Sequence, residues 1–129
     1  MGDLSALGSA IYSTLDTATT LPVYQAIAPQ GTTTPYVVFS RQDARDEYTF
    51  AGGHGIAADY LVKVVDNGTW PTPAQVAYDT LHNAINDAVP TYTGMAALRF
   101  RRDALIEFRD RAGYWHVGGI YRVEVHDNA

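Results

Sequence analysis

The stretch ALRFRRDALIEFRDRAGYWHVGGIYRVEVH, residues 97–126, decides the fold. Up to Phe108 its even positions are mostly apolar and its odd positions mostly charged, whereas from Trp115 onwards the odd positions are apolar or small. Each half therefore predicts a strand with one buried face. Residues 110–113 (Asp-Arg-Ala-Gly) between them predict a four-residue turn, so the stretch is expected to fold as a long hairpin.

The two apolar faces of this hairpin predict its register. They match when Phe108 lies opposite Trp115 and Phe100 lies opposite Val123. A shift by one residue would set Phe108 beside His116 and turn an apolar row towards water, so we expect the first register. The same register predicts three further pairs: Ile106 with Val117, Ala104 with Gly119, and Leu98 with Val125.

The predicted hairpin is unusually long. At about 3.3 Å per residue it would extend roughly 40 Å, well beyond an ordinary strand. We expect it to bend near residues 102–104. The small residues Ala104 and Gly119 meet there and leave room for a helix or another backbone to come close.

The composition limits the kinds of protein this can be. A length of 129 residues predicts one domain, residues 1–129. The absence of cysteine excludes disulfides, thiolate zinc sites and thiol nucleophiles. A formal charge of -5 argues against general binding of nucleic acid or anionic membranes. No signal-peptide pattern or membrane-span pattern is found, and the sequence is therefore expected to be that of a soluble cytosolic protein.

The N-terminal half predicts one helix and three strands. Leu4, Leu7, Ile11 and Leu15 have helical spacing, so residues 3–16 are expected to form a short amphipathic helix. Residues 21–27 predict a short edge strand. Residues 36–40 predict a second strand, continued to residues 48–50 after a charged run, and residues 56–65 a third, with a Gly-rich tip at 51–55 between the two.

A second helix is predicted after the third strand. Thr72 is expected to cap it and Pro73 to occupy its first position, where the missing N–H costs nothing. The apolar stripe predicted to face the sheet consists of Val76, Ala77, Thr80, Leu81, Ala84, Ile85 and Ala88. Together these elements predict an α+β domain in which an antiparallel sheet of about four main strands with long hairpins carries two helices on one face.

No catalytic motif is present. His54 lies in the Gly-rich tip, His116 is expected opposite Glu107 on the exposed face, and His82 and His126 lack converging partners. These histidines predict neither a catalytic site nor a metal site, and no cofactor is expected. The arginine-rich segment from Arg99 to Arg111 alternates with acidic residues, which favours a mixed-charge surface over a nucleic-acid site.

Several segments in order resemble the small tail-completion, or tail-terminator, proteins of long-tailed bacteriophages. The segments are ALGSAIYSTL (6–15), VYQAIAPQGTTTPYVVF (23–39), ADYLVKVVD (58–66) and PTPAQVAYDTLHNAI (71–85), followed by the final strand pair. The most specific part is Ala-Pro-Gln-Gly (28–31) followed by Pro-Tyr-Val (35–37). The resemblance covers nearly the whole chain.

The resemblance implies a structural virion protein and no reaction. Members of that family form a ring, typically of six subunits, that ends the tail tube and joins it to the head in the tail or neck of the virion. The implied partners are further copies of the chain, the tail tube protein and a head-completion or neck protein, with DNA crossing the bore without specific binding.

Three alternatives remain open from the sequence. They are a portal-side neck ring, a small hydrolase or isomerase that uses His54 or His116, and a nucleic-acid-binding module. For the ring, the predicted subunit contacts are the charged residues of the two hairpins: Arg41, Asp43, Arg45, Asp46, Glu47, Arg99, Arg101, Glu107 and Arg109.

Overall fold

The computed structural model describes residues 4–48, 54–86 and 95–127. Two helices and five strands follow one another along the chain. Their order is α1 (Leu4–Ala18), β1 (Val23–Gln25), β2 (Tyr36–Tyr48), β3 (His54–Asp66), α2 (Thr72–Ile85), β4 (Met95–Arg109) and β5 (Trp115–Asp127). No helix among these residues is long and apolar enough to cross a membrane.

The strands form one mixed sheet in the order β1-β2-β3-β5-β4. The four long strands pair antiparallel, as predicted. The prediction of a purely antiparallel sheet is wrong, however, because β1 adds a fifth strand that runs parallel to β2, with Val23 opposite Val37. The loop between β1 and β2 returns the chain to the same end of the sheet, and this makes the pairing parallel.

Both helices pack on one face of the sheet, which we call the helix face; the opposite one is the outer face. Three residues of the stripe predicted for α1 are confirmed, since Leu7, Ile11 and Leu15 are completely buried; the side chain of Leu4 lies outside what the structure describes. The core between helices and sheet combines these side chains with alternate residues of the long strands, including Val37, Phe39, Tyr60, Val62, Val64, Phe100, Tyr121, Val123 and Val125. Burial of this continuous apolar layer is the main stabilising contribution to the fold.

Helix α2 differs from its prediction in two respects. Pro71, rather than Thr72, is the N-cap residue, and no side chain caps the helix. The buried residues are Ala74, Tyr78, Leu81 and Ile85, so Leu81 and Ile85 of the predicted stripe are confirmed. Other members of the stripe are not buried: Val76 is 60% exposed, Thr80 and Ala84 are exposed, and Ala77 is half-buried, while Ala88 lies outside the described residues. The helix is therefore rotated about its axis relative to the prediction, which brings Tyr78 into the core.

The β4–β5 hairpin has the predicted register only in the half away from the turn. Phe100 pairs with Val123 and Leu98 with Val125, but Phe108 pairs with His116, the alternative we had expected to be excluded. The other pairs predicted near the turn are wrong as well: Ile106 lies opposite Gly118 and Ala104 opposite Ile120, while Trp115 lies opposite Arg109.

A β-bulge causes this change of register. The pairing shifts between Arg102 and Ala104, within the segment where we predicted a bend. One extra residue in β4 exchanges the two faces of the strand, so Phe108 moves to the outer face without disturbing Phe100. The turn adapts by using five residues, and the side chain of Asp110 closes it by accepting a hydrogen bond from the Tyr114 N–H (2.9 Å).

The predicted close approach at Gly119 is present. A Cβ atom on Gly119 would lie 2.7 Å from both the Ala104 carbonyl oxygen and the Tyr78 hydroxyl of α2. The adjacent Gly118 is tighter still, because its Cβ would lie 2.1 Å from the Val62 carbonyl oxygen. The two glycines therefore allow both the bulge and α2 to sit close to β5.

Candidate assembly surface

Among the described residues both edges of the sheet are open, one along β4 and the other along the part of β2 that β1 does not cover. The 15-residue strand β4 forms one edge. On the other edge β1 pairs only with Val37–Phe39, so no strand among the described residues covers β2 from Ser40 to Tyr48. Open edges present unpaired N–H and C=O groups, and another chain can pair with them.

The backbone at Ala26 leads the chain away from β2. The Ala26 N–H donates to the Phe39 carbonyl oxygen (2.7 Å), and the next N–H, of Ile27, donates back to the Gln25 carbonyl oxygen (2.8 Å). With φ of 68°, Ala26 forms a γ-turn in the strained left-handed region. The strand β1 therefore stops at a sharp corner instead of continuing along β2, and Ile27 beyond it is 79% exposed.

Charged residues occupy two neighbouring rows across the outer face. One row runs across the four long strands as Asp43, Asp59, Arg122 and Arg101. The next row runs as Arg45, Ala57, Glu124 and Arg99. Four of the nine predicted contact residues thus share this surface: Asp43, Arg45, Arg99 and Arg101.

Ion pairs connect these rows. An Arg45 guanidinium nitrogen lies 3.3 Å from Asp43 and 3.8 Å from Asp59, and the Arg122 Nε donates to Glu124 at 2.6 Å. Burial and the facing carboxylate of Asp43 raise the pKa of Asp59, while Arg45 opposes the rise. Because exposed pairs contribute little stability, this surface has charges that a partner could use.

The remaining predicted contact residues lie elsewhere. Arg41 pairs with Tyr60, and Glu107 with Val117, so both belong to the helix face. There Glu107 accepts a hydrogen bond from the Gln75 side chain of α2 (2.6 Å). Arg109 lies over the Trp115 ring and donates to the Gly113 carbonyl oxygen (3.3 Å), which fixes it at the turn. Asp46 and Glu47 pair with Ile56 and Gly55; their side chains lie outside what the structure describes.

A polar network, which was not predicted from the sequence, joins α2 to β5. The hydroxyls of Tyr78 and Tyr121 lie 2.6 Å apart, and His82 Nδ1 lies 2.7 Å from the Tyr121 hydroxyl. Arg102 donates to the Tyr78 hydroxyl (3.3 Å). Each hydroxyl donates once if Tyr78 donates to Tyr121 and Tyr121 donates to a neutral His82. Tyrosines at core positions of both elements are the signal that could have suggested it.

The same network holds the bulge of β4. The Arg102 backbone N–H donates to the side-chain oxygen of Asn86 at the end of α2 (3.1 Å). Arg102 is thus held through its backbone by Asn86 and through its side chain by Tyr78. Hydrogen bonding to Tyr78 raises the pKa of Arg102, and burial raises that of Tyr121, so the guanidinium stays charged and the phenol neutral.

The histidine at the turn has a structural role. His116 does not face Glu107 as predicted; its ring stacks on Phe108 with centroids 4.6 Å apart. His116 Nε2 lies 2.8 Å from Asp110, and this contact lowers the pKa of Asp110. The other ring nitrogen, Nδ1, is buried without a hydrogen-bond partner, so it is closed to a substrate. This geometry argues against His116 as a general base.

The remaining histidines add no reactive cluster to the part of the chain that the structure describes. The side chains of His54 and His126 lie outside what the structure describes. Within the described part of the chain, no three acidic or histidine side chains converge as metal ligands. A groove of about 480 Å³ runs between α2 and β4, where Gln75, Asp79 and Leu105 line it. It lacks the converging reactive groups of an active site.

Comparison with known proteins gives one kind of match. No protein-family model matches the sequence, and no curated protein sequence matches it. Among solved structures, a chain of the virion of a native gene transfer agent (GTA) particle is similar, with a TM-score of 0.65 and 21% sequence identity. The match covers 92% of this chain and 85% of that chain. The two chains share this α+β fold over nearly their full lengths.

Proposed function

We propose that this chain is a structural protein of a phage or phage-like virion, where it forms a ring that ends the tail tube and joins it to the head. The observation that carries the proposal is the shared fold with a GTA virion chain over 92% of this chain. The resemblance of the sequence to tail-terminator proteins supports the more specific role. We propose six copies, the usual number in that family.

The surface of the molecule supports assembly rather than catalysis. Two open strand edges and two rows of charge are suited to repeated contacts between subunits. A formal charge of -5 also suits a ring through which DNA passes, because like charge discourages contact with phosphates. The proposed partners are the tail tube on one side and a head-completion protein on the other.

A nonsense mutation in the gene of the parent particle tests this role. Negative-stain microscopy of the lysate should reveal filled heads beside unjoined tails of abnormal length, because nothing would stop growth of the tube. Unjoined tails of normal length would favour a portal-side ring instead. Normal infectious particles would refute both neck roles.

A further inference from the structure

We infer that neighbouring copies of this chain join by antiparallel pairing between strand β4 of one copy and the distal part of β2 (Asp43–Tyr48) of the next. This inference deepens the proposed function and rests on it for closure into a ring. The partner at each open edge is then another copy of the chain. The contact is head-to-tail, because two different surfaces of each copy take part.

The backbone provides the two halves of this contact. The corner at Ala26 ends β1 after its bond to Phe39 and leaves the rest of β2 uncovered. Strained backbone of this kind is often kept where it serves a function. On the opposite edge no strand among the described residues pairs with the outer side of β4, and most of its side chains from Arg99 to Arg109 are exposed. Pairing would satisfy the free N–H and C=O groups of both edges.

Charge selects the pairing of unlike edges. The segment Asp43–Tyr48 has three acidic residues and one arginine, a formal charge of -2. In the segment Arg99–Asp103, Arg102 is bound to Tyr78 of α2, and the remaining two arginines and one aspartate have a formal charge of +1. Pairing β4 with β4, or β2 with β2, would bring like charges together and cost free energy. Pairing β4 with β2 brings opposite charges together.

The two segments also lie at the same height on the sheet. Asp43 and Arg101 are the ends of one row across the four long strands, and Arg45 and Arg99 are the ends of the next. The long strands alternate in direction from β2 to β4. A rotation about an axis along the strands therefore places β4 of one copy antiparallel to β2 of the next. At equal height Arg101 then faces Asp43, whereas Arg99 faces Arg45, which is already paired with Asp43 and Asp59 of its own chain.

Cross-linking of single-cysteine variants tests this contact, because the natural chain has no cysteine. Ser40 and Ala104 are the ends of one row of the outer face across the four long strands, so they lie at the same height on the two edges. The variants Ser40→Cys and Ala104→Cys are mixed in concentrated solution with a short bis-maleimide reagent, which tolerates a small offset in register. The expected product is a dimer that joins the two different variants, with little product from either variant alone.

Charge reversal tests the selection of edges. Arg101→Glu in the Ala104→Cys chain should lower the yield of the mixed dimer about fivefold, since the attraction to Asp43 becomes a repulsion. Asp43→Arg in the Ser40→Cys chain should restore the yield. Arg111→Glu, the same charge change in the exposed turn, is the matched control and should leave the yield unchanged. Circular dichroism checks that each variant folds.

The outcomes separate this inference from the proposed function. Homodimers of the Ala104→Cys variant, or no cross-linked product, would overturn pairing of β4 with β2. If such a result accompanied unjoined tails in the nonsense mutant, the ring would stand but would use other contacts. Mixed dimers together with normal mutant particles would support the edge contact and refute the neck role.

Discussion

Replacing Tyr121 with Phe should destabilise the protein, whereas replacing Tyr60 with Phe should not. These two tyrosines lie directly opposite each other on β3 and β5, and both are almost completely buried. Each replacement removes one hydroxyl from the same layer of the core. The two hydroxyls differ in their partners. That of Tyr121 lies 2.6 Å from Tyr78 and 2.7 Å from His82, while that of Tyr60 has no hydrogen-bond partner.

The expected magnitude follows from these contacts. A buried hydrogen bond contributes about 0.5–1.5 kcal/mol, so losing two should lower the free energy of unfolding by about 1–3 kcal/mol. At about 4 °C per kcal/mol for a chain of this size, Tm should fall by about 4–12 °C. For Tyr60, burial raises the pKa of the phenol, and the nearby charge of Arg41 offsets part of this rise. Arg41 does not form a hydrogen bond of acceptable geometry with the Tyr60 hydroxyl. Removing an unsatisfied buried hydroxyl should therefore be neutral or stabilising.

Urea unfolding followed by far-ultraviolet circular dichroism provides the comparison. The urea midpoints of the two variants should separate while the slope m stays equal to that of the natural chain. Equal losses in both variants would refute the reasoning, since the hydroxyl partners would then make no difference. A loss confined to Tyr60→Phe would contradict the hydrogen-bond arrangement between β5 and α2.

Three other replacements test separate features of the fold. Gly118→Ala should lower the free energy of unfolding by at least about 3 kcal/mol or prevent folding, because its Cβ would lie 2.1 Å from the Val62 carbonyl oxygen. The control Gly68→Ala has a nearest contact of 3.4 Å and should leave the urea midpoint nearly unchanged. Ala26→Gly should raise stability by about 0.5–1 kcal/mol, since glycine relieves the positive φ at some cost in chain entropy; an unchanged or lower urea midpoint would contradict the strain. Asp59→Asn should raise stability at pH 7, because the raised pKa of Asp59 means that its charged form is less favourable in the folded protein than in the unfolded chain. As pH falls towards the ordinary pKa of 3.8, Asp59 becomes protonated and the advantage of the variant in urea unfolding should shrink. An advantage that does not depend on pH would contradict this cause.

Alternation of apolar residues predicted the elements well because it reports burial directly. The helix α1 and the strands β3, β4 and β5 overlap the segments where the pattern placed them. Strand β2 was predicted for residues 36–40 and 48–50 but also includes the charged run between them; residues 49 and 50 lie outside the described part of the chain. Pairing of Phe100 with Val123 was also correct, since both side chains are completely buried in the core. Where one face is fully buried, an error in register would expose that face, and the pattern is then decisive.

The pattern failed where an extra residue interrupts a strand. A bulge exchanges the faces of β4 without changing its composition, so Phe108 still belongs to an alternating series but points to the outer face. A second bulge, between Arg41 and Asp43 in β2, lies in the charged run that separated the two predicted parts of this strand. The signal of a bulge lies in long-range packing, here in Gly119 and α2, and not in the local alternation.

The candidate assembly surface was predicted in its residues but not in its geometry. The charged runs of the two hairpins indicated an interface, and Arg101 faces Arg122, which follows from the correctly predicted pairing of Phe100 with Val123. Only the observed registers separate Asp43 and Arg45 on the outer face from Glu107 on the helix face. When both faces of a strand are exposed, a run of charged residues does not indicate which side chains lie on which face. The face of each charged side chain then depends on the position of the nearest bulge.

The bulge of β4 connects the interior of the protein to its open edge. Before the bulge, Arg99 and Arg101 lie on the outer face. Between the bulge and the turn the faces of β4 are exchanged, so Glu107 lies on the helix face and accepts a hydrogen bond from Gln75 of α2. Without the extra residue Glu107 would point to the outer face and could not reach Gln75 of α2. Asn86 and Tyr78 hold the bulge from the helix face. The buried network that stabilises the core therefore also determines which charges the edge presents to a neighbouring subunit.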